Sequence, residues 1–189
     1  MALSDLFAQN ALVRLIRGDR QRYDLAVAMT GVRLGERVLQ IGCADAGLLA
    51  ALGAKVGYTG RACGVDPDPD LARHALTSAD AAGVLVETAA APYARLGYEA
   101  GSFDLVVVRR VGALLDPPHL ADALREAHRA LRPGGRCTVV GGGARGARGG
   151  AARDTEAVIK ATLDAGFRGA RLLAERDGWT FVEGLKPAS

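Results

Sequence analysis

Short apolar runs alternate with longer amphipathic segments along most of this sequence. The apolar runs predict five strands, at 37–42, 61–67, 84–88, 103–110 and 136–142. Between them, apolar residues recur at the spacing of a helix, which predicts helices near 46–54, after Asp68, after Asp116 and near 154–165. Strands that alternate with helices predict a parallel sheet with helices on both faces. The almost continuously apolar run at 103–110 fits a strand covered on both sides.

The two ends of the chain follow different patterns. Residues 3–17 and 21–31 place apolar side chains at helical spacing. The last segment has two extended runs joined by Asp177-Gly178, a pair typical of a tight β-hairpin. The sequence therefore predicts a single α/β domain, with one antiparallel strand in the final hairpin. It comprises residues 1–189, with a helical cap at 1–30 and a core at 31–189.

Particular residue types mark the helix boundaries. Asp68 followed by Pro69, and Asp116 followed by Pro117, are the types expected at a helix start, and Gly31 is the type expected at a helix end. In the helix after Asp116, apolar residues form one buried stripe made of Leu120, Leu124, Ala127 and Leu131.

Composition limits the class of protein. Apolar residues make up 49% of the 189 residues and charged residues 24%, which is typical of a folded globular domain. No apolar run approaches the roughly 20 residues of a membrane-spanning helix, and the N-terminus lacks the apolar core of a signal peptide. Cys43, Cys63 and Cys137 are isolated and the three histidines lack ligand spacing, so neither a disulfide nor a metal site is expected. We expect a cytoplasmic protein.

Positive charge is mild and comes almost entirely from arginine. The formal net charge is +3. The arginines of the predicted loop at 143–153, GARGARGGAAR, make nucleic acid a candidate partner. This loop has none of the aromatic side chains on which single-strand binders stack bases. A small-molecule partner is therefore favoured over nucleic acid or a membrane, and a homodimer stays an open alternative.

Small and polar residues collect where the first two predicted strands end. In parallel sheets, ligands bind beyond the carboxyl ends of the strands, where the strand order reverses. Gly42 in the loop GCADAG lets the backbone approach a ligand closely. Asp66, at the end of the second strand, could accept hydrogen bonds from two ribose hydroxyls. The alternative is that Asp66 is only a turn residue before Pro67.

Four stretches occur in an informative order: GERVLQIGCADAG, GVDPDPDLARHA, GSFDLVVV and ALRPGGRCTVV. Together they resemble the class I S-adenosylmethionine-dependent methyltransferases of the type 11 kind, over about residues 30–145. The resemblance implies a Rossmann-like sheet of seven strands in the order 3-2-1-4-5-7-6. It also implies S-adenosylmethionine as cofactor and methyl transfer to an acceptor, for which we expect a small molecule.

The resemblance implies a cofactor site around the first loop and the neighbouring strand ends. Its expected residues are Gln40, Gly42, Cys43, Ala44, Asp45, Gly47, Asp66, Pro67, Thr88, Ala89 and Arg109. Arg109 and Arg110 could contact an acidic ligand, or pair with surface acids. No catalytic residue is assigned, because methyl transfer from a sulfonium depends mainly on positioning and on exclusion of water.

The chain departs from the family pattern at several of these positions. Gln40 stands where an acid is usual, and Ala44 and Ala46 stand where glycines are usual. Asp45 is unusual in this loop, and is either a substitute for the missing charge or an exposed turn residue. Thr88 and its neighbours replace an acid that binds adenine. Each lost hydrogen bond would cost roughly 1–3 kcal/mol of binding.

Three hypotheses follow. The first is an S-adenosylmethionine-dependent methyltransferase. The second is a non-catalytic, methyltransferase-like binding or scaffolding protein that has lost cofactor affinity. The third is a nicotinamide-dependent dehydrogenase, which predicts a complete GxGxxG that GCADAG does not supply.

Overall fold

Seven strands and five helices make up the described part of the chain. The computed structural model describes residues 23–142 and 151–188. The strands are β1 (Arg37–Ile41), β2 (Arg61–Asp66), β3 (Glu87–Ala90), β4 (Phe103–Arg109), β5 (Leu131–Gly142), β6 (Arg168–Arg176) and β7 (Trp179–Leu185). The helices are α1 (23–30), α2 (Ala46–Val56), α3 (Pro69–Ala81), α4 (Pro117–Ala130) and α5 (Ala151–Asp164).

The strands form one sheet in the order β3-β2-β1-β4-β5-β7-β6. Strands β1 to β5 pair in parallel, and β7 runs antiparallel to both β5 and β6. This confirms the Rossmann-like order that the methyltransferase resemblance implied. It differs from the order 3-2-1-4-5-6 of dinucleotide-binding dehydrogenase folds, in which no reversed strand is inserted before the edge.

Each face of the sheet has its own apolar core. Val38, Leu105 and Val107 pack under α1 and α2 on one face, while Leu39 and Val106 belong to the core under α4 and α5. Alternate residues of β1 and β4 thus point into different cores. Both faces are covered, which is why the β4 sequence FDLVVV is apolar except for Asp104.

Several helix and turn predictions are confirmed in detail. The α3 helix begins at Pro69, and the Asp68 carboxylate accepts a hydrogen bond of 2.8 Å from the backbone N–H of Asp70. The final hairpin turns at Asp177 and Gly178 with φ of 52° and 76°, the two positive values of a type I′ turn. Gly31 ends α1 with φ of 62°.

The third strand was predicted wrongly. It begins at Glu87 rather than Val84 because the backbone at Val84 is held to the end of α3: its N–H donates to Ala79 O at 2.9 Å. Thr88 and Ala89 therefore lie within β3 and not in the loop after it. The last helix starts at Ala151, earlier than predicted, and a short 3-10 turn at Gly112–Leu115 was not predicted.

Two other predictions concern residues that the structure does not describe. The expected N-terminal helix at 3–17 and most of the arginine-bearing loop, 143–150, lie outside the described residues. Within the described ranges, no helix is long and apolar enough to cross a membrane.

Candidate functional site

The candidate site lies at the carboxyl ends of β1 and β4. The chain leaves β1 toward α2 on one face of the sheet and leaves β4 toward α4 on the other, so the connecting loops diverge. Ligands of parallel sheets bind between such diverging loops, and the region between the ends of β1 and β4 is called the crevice below.

Gly42 begins the first loop in a conformation that other residues rarely adopt. Its φ is 91°, and its backbone N–H donates to Val65 O at 2.8 Å. A Cβ atom at this position would lie 2.7 Å from both Arg109 O and Leu114 Cδ1. The glycine therefore allows the first loop to pack against the end of β4.

Asp66 holds the first loop to the end of β2. Its side chain is buried and accepts hydrogen bonds from the backbone N–H groups of Cys43, at 2.8 Å, and Asp68, at 3.0 Å. An ionised carboxylate offers about four acceptor sites, so about two stay available for a ligand. Pro67, the next residue, is exposed.

Two neutral side chains lie near this carboxylate. Burial first, and the charge of Asp66 second, raise the pKa of the Cys43 thiol to about 12. Burial and the same charge also raise the pKa of Tyr93. Cys43 is therefore protonated at neutral pH and is not an activated nucleophile.

Gln40 lies fully buried beneath the loop. Its Nε2 donates to Gly42 O at 2.8 Å and to Asp45 O at 3.4 Å. Two carbonyl acceptors on that side fix the orientation of the amide, because an oxygen there would face two oxygens. Its Oε1 is buried without a hydrogen-bond partner among the described residues. Most buried polar atoms are paired, so this unused acceptor is notable.

A buried ion pair spans the tips of β1 and β4. Arg109 Nε and Nη2 donate to one oxygen of the Asp45 carboxylate at 3.0 and 2.9 Å, and the Tyr23 hydroxyl donates to the other oxygen. The side chains of Arg109 and Asp45 are only 2% and 12% exposed. Asp45 is therefore not an exposed turn residue, and its charge is balanced within the protein.

Arg109 also connects the crevice to the reversed half of the sheet. Its Nη1 donates to Val140 O at 3.1 Å and its Nη2 to Gly142 O at 2.7 Å, both at the end of β5. The guanidinium lies 4.9 Å from the ring centroid of Trp179, a distance typical of cation–π contacts. One side chain thus contacts the first loop, β5 and β7.

The two alanines that stand where glycines are usual lie in different environments. Ala44 is exposed, whereas Ala46 is buried in the apolar core under α1 and α2. Neither adopts a positive φ. A Cβ at Gly47 would lie 2.4 Å from Tyr23 Cε2, so this glycine makes room for the tyrosine ring.

The adenine-side candidates lie one strand further out. Thr88 and Ala89 pair with Gly64 and Val65 of β2, and both are half-buried. Glu87, the nearest acid, extends to the surface, where it forms an ion pair with Arg61. The fold thus brings Gly42, Cys43 and Asp66 into direct contact, and leaves Thr88 and Ala89 beside them.

Sequence reasoning missed Trp179 as a member of this site, and it assigned no partner in the first loop to Tyr23. Tyr23 and Trp179 contact Asp45 and Arg109, and the two rings meet edge to face at 6.1 Å. They lie before the first strand and after the last turn, and no local pattern relates them to the loop. The only signal was the position of Trp179 directly after the hairpin turn, which places it at the same edge of the sheet as the end of β5.

Comparisons with known proteins agree with this fold. A family described as methyltransferase domain matches residues 38–135. The chain resembles a SAM-dependent methyltransferase from Aquifex aeolicus, with a TM-score of 0.72 and 18% identity, over 86% of this chain and 88% of that one. It also resembles an O-methyltransferase from Thermotoga maritima, with a TM-score of 0.71 and 14% identity, over 89% and 66% of the two chains.

Another similar structure has a different printed activity. It is the [4+2]-cyclase SpnF, with a TM-score of 0.66 and 18% identity, over 90% of this chain and 81% of that one. At such identities, likeness between structures concerns the fold alone. No curated protein matches the chain by sequence. The family match, however, covers just over half of the residues, and the chain therefore belongs to the methyltransferase domain family.

Proposed function

We propose that this protein is an S-adenosylmethionine-dependent methyltransferase that acts on a small molecule and binds its cofactor in the crevice between β1 and β4. The observation that carries the proposal is the position of Asp66. Its buried carboxylate is held against the first loop by the Cys43 N–H at 2.8 Å, with acceptor sites to spare. A nucleoside ribose presents two neighbouring hydroxyls, which suit such a carboxylate.

The remaining polar groups of the crevice also fit this cofactor. Gln40 Oε1 is a buried acceptor without a partner among the described residues, and it could accept a hydrogen bond from an ammonium group. Asp45 and Arg109 provide opposite charges, as an amino-acid moiety with an ammonium and a carboxylate requires. Thr88 and Ala89 border the side on which adenine would lie.

The residues of the crevice are suited to positioning a ligand. S-adenosylmethionine, when bound, supplies a methyl group activated by a positively charged sulfur. The chain contributes a loop fixed by Gly42 and Asp66, and an ion pair held in place by Tyr23 and the end of β5. Orientation and exclusion of water can supply most of the rate acceleration, so the proposal assigns no general base.

The state of the cysteines bears on the cellular compartment of the protein. Cys43, Cys63 and Cys137 are buried free thiols, which supports a reducing compartment such as the cytoplasm.

The alternative function is a methyltransferase-like binding protein without cofactor affinity. The observation in its favour is that Asp45 and Arg109 already satisfy each other across the crevice.

Calorimetry with S-adenosylhomocysteine and S-adenosylmethionine tests the proposal. We expect both ligands to bind, and Asp66→Asn to weaken binding about tenfold or more, because charged hydrogen bonds to the ribose are lost. Asp80→Asn is the matched control, since Asp80 is exposed on α3. Absence of heat with millimolar ligand would reject the proposal and favour the binding-protein alternative.

A further inference from the structure

A second cleft lies on the other face of the sheet, between the ends of β4 and β5, the start of β7 and the first turns of α5. Its cavity volume is about 60 Å³, and the cleft opens to solvent. Its lining is mixed, with three valine side chains and the polar residues Arg110, Asp154, Thr155 and Thr180. Its main lining residues are Arg110, Val139, Gly142, Asp154, Val158 and Val182.

Arg110 is the principal polar group of this cleft. Its side chain is only 10% exposed, and its two terminal nitrogens donate to the two Asp154 oxygens at 2.9 and 2.6 Å. Its Nε is buried without a hydrogen-bond partner among the described residues. A buried donor left unpaired is unfavourable, so an acceptor atom of a ligand would form a favourable hydrogen bond with it.

The partner of Arg110 can be replaced. Asp154 lies in the first turn of α5 and its side chain is 53% exposed, so water can solvate its carboxylate if the pair separates. The guanidinium fork matches the planar geometry of a carboxylate, with which it can form two parallel hydrogen bonds. The three valine side chains suit an apolar body attached to that group.

We propose that this cleft binds a small molecule made of a carboxylate and a compact apolar body, with the carboxylate on Arg110 in place of Asp154. Gly142 connects the cleft to the crevice, because it lines the cleft and its carbonyl oxygen accepts from Arg109. Binding at Arg110 needs none of the residues Gly42, Asp45 or Asp66. The proposed site can therefore be tested separately from the proposed function.

The test uses benzoate and benzamide, which have the same shape and differ in charge. In ¹H–¹⁵N spectra of the whole chain, we expect benzoate to shift the Arg110 Nε–H signal and the amides of Gly141, Gly142 and Thr180. Benzamide should bind at least tenfold more weakly. Equal affinities for the two probes, or shifts confined to other parts of the chain, would overturn the proposal.

Variants assign the effect to Arg110. Arg110→Gln should weaken benzoate binding at least tenfold, and Arg73→Gln, an exposed arginine on α3, should leave it unchanged. Asp154→Asn should bind benzoate several-fold more tightly, because the competing carboxylate is gone. Retained binding in Arg110→Gln, or loss of binding in Asp154→Asn, would contradict the proposal. If Arg110→Gln does not fold, the wild-type probe comparison and Asp154→Asn still decide.

A titration with S-adenosylhomocysteine in the same sample separates the two proposals. Shifts at Cys43 and Asp66 report on the crevice, whereas shifts at Gly141 and Thr180 report on the cleft. Benzoate shifts at the cleft without S-adenosylhomocysteine shifts at the crevice would reject the proposed function and leave the carboxylate site standing.

Discussion

At the scale of single residues, the candidate site depends on a buried charge pair. Asp45 and Arg109 are almost inaccessible to water, and each makes further hydrogen bonds, to Tyr23 and to the end of β5. A buried pair adds little net stability over an apolar replacement, but removal of one partner leaves an uncompensated charge. The stability of the chain is therefore sensitive to either residue, and so is the cofactor binding that we propose for the crevice.

Arg109→Met should lower the free energy of unfolding by about 3 kcal/mol, because it leaves the Asp45 carboxylate buried without its partner. Urea denaturation measures this change. The double variant with Asp45→Asn should lose less than the sum of the two single variants. Strict additivity would show that the two residues do not interact as the structure indicates. Arg73→Met, which removes an exposed pair, should change stability by less than about 1 kcal/mol.

At the scale of elements, close backbone contacts fix β5 against the final hairpin. Gly142 has φ of 72°, and a Cβ there would lie 2.0 Å from Gly178 O. The neighbouring Gly141 is different, since a Cβ there would meet its nearest atom only at 3.8 Å. The two adjacent glycines thus provide a matched pair of substitutions.

Gly142→Ala should destabilise the chain by about 3 kcal/mol or more, because the methyl group clashes with the hairpin backbone and the residue is strained at positive φ. Gly141→Ala should cost less than about 1 kcal/mol. Thermal or urea unfolding of both variants measures the difference. Similar losses in the two variants would contradict the packing described for this end of β5.

A second element contact should appear as pH dependence. Glu126 on α4 accepts hydrogen bonds from Arg129, at 2.6 and 2.8 Å, and from the Leu96 N–H in the segment before β4, at 2.9 Å. Arg129 first, opposed by burial and assisted by the Leu96 N–H, lowers the pKa of Glu126 below its ordinary value of 4.5.

Because this pKa is lower in the folded chain, the carboxylate stabilises the fold above pH 4.5, and that contribution is lost as pH falls through the folded pKa. Glu126→Gln should cost about 1 kcal/mol near neutral pH and should reduce the loss of stability in acid. Unfolding curves between neutral pH and pH 3 measure both effects. Glu99→Gln, an exposed control, should retain the wild-type pH dependence.

At the scale of the whole molecule, the two proposed ligand sites are adjacent and lie on opposite faces of the sheet at the end of β4. Arg109 faces the crevice and Arg110, the next residue, faces the cleft. A ligand that binds only the folded chain raises its stability by mass action, to about 2.7 kcal/mol at one hundred times Kd. Global unfolding therefore reports on either site.

S-adenosylhomocysteine at one hundred times its Kd should raise Tm by about 5–10 °C, given the usual relation between free energy and Tm for a domain of this size. At the same ligand concentration, Asp66→Asn should show a smaller increase and Asp80→Asn the full one. A Tm that does not respond to the ligand at any concentration would count against cofactor binding in the crevice.

The amount that could be predicted from sequence differs between the fold and the site. Apolar runs such as 103–110 indicate strands because both faces are buried, and the pair Asp177-Gly178 indicates its turn through local backbone preference. The start of β3 was predicted wrongly because the backbone of Val84 is engaged with the end of α3, a contact that hydrophobic pattern does not reveal.

The sequence by itself determined the alternation of helices and strands, the hairpin, and the position of Gly42 and Asp66 at strand ends, because these depend on local conformation and on the periodicity of apolar residues. Tertiary structure alone decided that Asp45 pairs with Arg109, that Gly47 accommodates Tyr23, and that Arg110 Nε, beside Asp154, has no partner within residues 23–142 and 151–188. These contacts join residues far apart in the chain. Their energies depend on burial and on distance in space, which no local pattern encodes.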